Sequence, residues 1–130
     1  YMGTKMFNLI GRFFLEAFAY VSLALLGFFL TDSIFRWGLA IFIPVTLAIP
    51  WTYINTPGDP AREGKALIPV PGILRLGIEL IHFTIAIFAC SYVMGNTVAF
   101  IFSGLVAIHY LISYDRIIWL IKTHKVHANE

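Results

Sequence analysis

Arg12-Phe-Phe-Leu-Glu16 and Arg75-Leu-Gly-Ile-Glu79 place an arginine and a glutamate four positions apart, twice, with the second motif 63 residues after the first. On a helix that spacing sets guanidinium and carboxylate on one face, within reach of each other. Both pairs lie in apolar segments, where a lone charge is costly and a charged group is held by a partner or turned inward. Asp115 and Arg116 bring the same chemistry to the last apolar run. The polar intramembrane cluster expected from this pattern is Arg12, Glu16, Arg75, Glu79, His82, His109, Asp115 and Arg116. Its charged members are three cations and three anions, formally neutral. Such a set can lock helix register through ion pairs, line a polar cavity for a proton, ion or small ligand, or hold lipid headgroups through its arginines.

His82 follows Glu79 by three residues on the same face, and His109 is central in the last run. With one unbroken last helix, both would sit roughly 14–18 Å from their inner helix ends. Two histidines at one depth could ligate a haem iron axially, or one could relay protons with Glu79. Otherwise no cofactor is expected. Glu79-Ile-Leu-His82 is half of a di-metal motif, but the repeat puts Ala19 where the second histidine is needed. No catalytic residue is assigned, and phosphate loop, nucleophile elbow, zinc spacing and basic nucleic-acid patch are all lacking from the sequence. The single cysteine, Cys90, reads as a packing residue.

The elements that position these groups follow from composition. The chain is 59% hydrophobic and 12% charged, with mean hydropathy +0.83, whereas soluble domains carry about 25% charged residues. Four apolar runs predict helices over about 9–30, 35–54, 73–94 and 98–121, each near the ~20 residues that cross a bilayer. The first run is too long for a signal-peptide core, so a retained helix is expected. The expected architecture is all-α: a polytopic membrane protein over residues 1–130, a single domain with a four-helix antiparallel bundle made of two helical hairpins. Thr31-Asp-Ser33 and Gly95-Asn-Thr97 make the tight turns, with Asp32 or Ser33, and Asn96 or Thr97, as helix caps. A Pro/Gly-rich connection over 55–72 joins the hairpins, as an ordered interfacial loop or a floppy linker.

Eight basic residues (Lys5, Arg12, Arg62, Lys65, Arg75, Arg116, Lys122, Lys125) fall on the side of the termini and the long connection, against Arg36 alone on the other. The positive-inside rule then puts both termini in the cytoplasm, and the chain in the bacterial cytoplasmic membrane. His124 and His127 belong to the hydrophilic tail. Trp37, Trp51, Tyr53, Tyr114 and Trp119 read as interfacial belts, and Gly77, Ala86, Ala89, Ser103, Gly104 and Ala107 as close helix contacts. Pro44 and Pro50 predict a kinked second helix. Sliding the chain by 63 residues lays helix 1 on helix 3, matching Arg12 with Arg75 and Glu16 with Glu79. Tandem duplication and chance similarity of apolar sequence both account for the match.

The segments Asn8-Leu-Ile-Gly-Arg-Phe-Phe-Leu-Glu16 and Leu74-Arg-Leu-Gly-Ile-Glu-Leu-Ile-His-Phe83 resemble the bacterial YrdB-like family, small integral membrane proteins that form a domain of unknown function. The likeness extends over about residues 8–121 and carries over to Arg12, Glu16, Pro71, Gly72, Arg75 and Glu79. It implies fold and membrane location, and no activity. The leading functional expectation is a non-enzymatic bundle that works by association, as a homo-oligomer or an accessory subunit beside other membrane proteins in the lipid bilayer. The alternatives are a small transporter or proton/ion pathway centred on Glu16, Glu79 and His82, and a haem-binding redox carrier using His82 and His109. A nucleic-acid partner is not expected.

Overall fold

Inside a bilayer the backbone must satisfy its own hydrogen bonds, so apolar runs of this length fold as helices. The computed structural model describes residues 6–57, 59 and 68–123. It contains α1 (Met6–Phe29), α2 (Phe35–Tyr53), α3 (Gly72–Met94), α4 (Asn96–Ile112) and α5 (Tyr114–Lys122). A two-residue parallel bridge, β1 (Ile54–Asn55) with β2 (Ile68–Pro69), closes the ends of the long connection. Lys5, Arg62, Lys65, Lys125, His124 and His127, with most of that connection and the tail, lie outside the described residues. The protein is a helical membrane protein. Its helices α1, α2 and α3 are long and apolar enough to cross a bilayer, and α4 reaches that length only together with α5.

The continuous helix expected over about 98–121 is two helices, bent by 68° at Ser113. The Ser113 N–H donates to His109 O at 3.0 Å and ends α4, while Ser113 O accepts the N–H groups of Arg116 and Ile117 and starts α5. Its hydroxyl accepts Asn8 Nδ2 at 2.7 Å, tying the joint to the first turns of α1. The far end of α5 is anchored to α3: Gly72 N–H donates to Thr123 O at 3.0 Å. A Cβ at Gly72 would fall 1.9 Å from Leu120 O, so only glycine lets the two backbones meet. The positive end of α3 there faces the negative end of α5.

The helices α1 and α3 pack on each other, with α2 flanking α1 and α4 flanking α3. The core helix is α3, which buries Arg75, Leu76, Glu79, His82, Phe83 and Ala86 along one stripe. From α2 only Trp51 is buried, and Phe35, Trp37, Ile41 and Phe42 are widely exposed, as suits a lipid-facing helix. Three expectations change here. Trp51, read as a belt residue, is 4% exposed and belongs to the core, whereas Trp37 is 64% exposed. Gly77 and Gly104, read as contact glycines, face open space, and the close approaches fall instead at Gly72 and Gly27, whose Cβ would sit 2.3 Å from Leu39 O. Finally, α4 opens from Gly95 (φ +94°) with no side-chain cap, while Ser33 Oγ does accept the Phe35 N–H at the start of α2.

Candidate functional site

Four elements deliver the charged groups to one level near the N-terminal end of α1. The stripe of α3 supplies Arg75 and Glu79, α1 supplies Arg12 and Glu16, the bend at Ser113 turns Arg116 inward, and the long connection supplies Asp59. Glu79 is the centre and is fully buried. Its Oε1 accepts the Tyr110 hydroxyl at 2.8 Å and Arg116 Nη1 at 3.0 Å, and Arg12 Nη2 stands 3.1 Å away as an ion pair. Its Oε2 accepts Arg75 Nε at 2.9 Å and Arg116 Nη2 at 2.7 Å. Three guanidinium groups and a phenol thus converge on one carboxylate.

Each arginine has a second task. Arg116 grips Asp59 with a bidentate pair, Nε to Oδ1 at 2.8 Å and Nη2 to Oδ2 at 2.6 Å. Arg75 Nη1 donates to Trp51 O at 2.8 Å and Ile54 O at 3.0 Å, satisfying carbonyls that the end of α2 leaves unpaired. Asn55 Nδ2 does the same for Thr52 O at 2.7 Å. Arg12 Nε donates to Glu16 Oε1 at 3.1 Å, at the partly exposed edge of the cluster. The Trp51 ring underlies two of these cations, with guanidinium carbons of Arg75 and Arg12 at 4.7 and 5.4 Å from its centroid. Buried cations of this kind gain from an aromatic face once water is removed.

Arg12, Glu16, Arg75, Glu79 and Arg116 are therefore brought together. The carboxylate on Arg116 is Asp59, which the sequence reading did not single out. Asp115 uses Oδ1 to accept the Arg116 backbone N–H at 2.9 Å in the first turn of α5. With Asp59 the group still holds three cations and three anions. Tyr110 was also missed. Its place follows from counting helix rise on both sides of Gly95, which puts Tyr110 and Glu79 at nearly the same height.

The two histidines also share a height, about 18–20 Å from the Gly95 turn by helix rise. They face different flanks. His82 stacks on Trp51 (centroids 4.5 Å apart) and meets the Tyr20 ring at 5.3 Å, on the α2 side. His109 lines a groove between α1 and α4. Among the described residues neither Nε2 has a hydrogen-bond partner, and no group of three or more His, Cys, Asp or Glu side chains is placed to hold a metal ion.

Residues 10–107 match the profile of a family described as "Protein of unknown function (DUF2568)". The chain belongs to this family. The match contains Arg12, Glu16, Arg75, Glu79 and His82, with His109, Tyr110 and Arg116 beyond its end. The chain is also 36% identical over 114 residues to "Uncharacterized protein YrdB" of Bacillus subtilis (strain 168), an alignment covering 88% of this chain and 93% of that protein. The resemblance read from the two Arg/Glu motifs is thus supported across most of the chain. No solved structure matches.

Proposed function

We propose that this DUF2568 member is a four-span antiparallel bundle of the bacterial cytoplasmic membrane, with both termini and the charged core on the cytoplasmic side. In this reading α4 and α5 together make the fourth span, and the protein acts by association, as a homo-oligomer or an accessory subunit, without catalysis. The observation that carries the reading is the saturation of Glu79. Its two oxygens take four hydrogen bonds and a further ion pair from α1, α3, α4 and α5. A carboxylate engaged on every side suits a structural lock better than a carrier that must exchange a proton or ion. The broad apolar surface of α2, from which only Trp51 is buried, offers a face to a second helix.

Native mass spectrometry of gently solubilised membranes tests this directly. A defined oligomer or a co-purifying membrane subunit is expected, and an isolated monomer overturns it. Two further measurements address the competing readings. Proton or ion flux in proteoliposomes that collapses with Glu79→Gln, in protein that still folds, would favour a pathway. A haem band in the visible spectrum of purified protein, lost with His82→Ala or His109→Ala, would favour a redox carrier.

A further inference from the structure

Two adjoining cavities of about 320 and 390 Å³ form one groove between α1 and α4, sharing Phe14, Leu15 and Leu105 along its wall. Volumes of this size, mostly apolar with a few polar groups, are typical of small-molecule sites, including those between bundle helices. The groove is one-ended. From Val98 to Leu105 its lining is wholly apolar, and its only polar side chains, Asn8 and His109, lie at the other end. Asn8 Nδ2 is already bonded to Ser113. His109 is 7% exposed, lines the groove, and its Nε2 has no hydrogen-bond partner among the described residues.

Length and depth define what fits. Val98 to Ile112 spans ~21 Å at 1.5 Å per residue, more than the ~15 Å half-thickness of the hydrocarbon layer. His109 lies about 20 Å from the Gly95 turn, roughly 13 Å short of the Gly72 end of α3. A headgroup at His109 is therefore below the level of phosphates, where a charge is costly. The polar end of the occupant must be neutral and able to hydrogen-bond.

We propose that the α1–α4 groove binds a neutral long-chain lipid, its chain along Val98–Leu105 and a hydroxyl or carbonyl head at His109. A charged phospholipid headgroup stays at the surface and does not reach the histidine. The site is independent of whether the protein associates.

The test uses the full chain in nanodiscs with a diacylglycerol that carries a photoreactive diazirine in its acyl chain, against phosphatidylcholine with the same chain. Diacylglycerol should label peptides containing Phe14, Leu15 or Leu105. Leu105→Trp, at an exposed position that can fill the groove without touching the core, should abolish that labelling. His109→Phe should reduce diacylglycerol labelling about 3–10-fold, the value of one hydrogen bond, and leave phosphatidylcholine labelling unchanged. Equal labelling by both lipids, labelling insensitive to His109→Phe, labels mapping elsewhere, or chain-to-chain cross-links in the groove would each overturn the proposal.

Discussion

Asp59 reaches Arg116 across 57 residues of sequence and closes on it with two hydrogen bonds, at 2.8 and 2.6 Å, with both side chains about 1% exposed. A loop carboxylate is thereby set into the charged core of a helical bundle. Arg116 is shared, since the same guanidinium also makes two bonds to Glu79. The connection between the hairpins, the bend of α5 and the centre of α3 are linked through one side chain.

Removing one partner of a buried pair leaves the other charge uncompensated, typically a loss of about 3–5 kcal/mol. Asp59→Asn should therefore lower thermal stability in detergent and hasten trypsin cleavage at Arg62 or Lys65 once the loop is released. Arg116→Met should destabilise as strongly. The double variant should lose less than the sum of the two, because each single change strands a partner that the double change removes. Additive losses would mean that the two residues act separately.

The Arg75 guanidinium makes three aligned bonds, one to Glu79 Oε2 and two to the carbonyls of Trp51 and Ile54, while lying over the Trp51 ring. Lysine keeps the charge but lacks the planar fork. Arg75→Lys should thus behave nearly as badly as Arg75→Gln. At the partly exposed edge of the cluster, Arg12→Lys should be better tolerated. Melting temperatures of the four variants in one detergent provide the comparison, and equal tolerance of lysine at both sites would count against the capping role of Arg75.

The helical half of the core was legible in the sequence because i,i+4 charge pairs in apolar runs have one economical arrangement. Arg12, Glu16, Arg75 and Glu79 were found this way, and Arg116 by its depth. Asp59 was not, because a carboxylate in a Pro/Gly-rich connection carries no periodicity that points to a distant partner. A signal did exist: Asp115 neighbours Arg116 at i,i+1, and such side chains diverge by about 100° around a helix. The pairing of acids with arginines therefore required an acid from elsewhere. The break at Ser113 was hidden because residues 98–121 contain no proline. Only Ser113 before an acidic residue in the next turn hinted at a new helix start. Trp51 looked like a belt residue because aromatic position near a helix end is the same signal whether the ring faces lipid or two buried cations.

Close backbone contacts make glycine substitutions unequal. At Gly72 an added Cβ would overlap the Leu120 carbonyl, and relief requires α3 and α5 to separate, which would pull Arg116 from Glu79. At Gly77 the added methyl meets nothing within 4 Å. Gly72→Ala should therefore give poorly folded or aggregating protein. Gly77→Ala should be neutral or slightly stabilising, since alanine is favoured over glycine in helices by about 1 kcal/mol. Size-exclusion profiles and melting curves of the two variants separate these outcomes, and a well-folded Gly72→Ala would contradict the contact.

Orientation follows from where the basic residues fall, and the single cysteine makes it measurable. Cys90 is fully buried in the described structure, so a membrane-impermeant maleimide should leave the unmodified chain unlabelled. Ser33 and Lys122 are both exposed and lie at opposite ends of the helices. If positive charge is retained inside, Ser33→Cys should label in intact cells, whereas Lys122→Cys should label only after permeabilisation. The placement of Lys122 also depends on α5 folding back beneath the bundle, because its neighbour Thr123 accepts the first N–H of α3. Labelling of Lys122→Cys in intact cells, with Ser33→Cys silent, would invert the proposed topology.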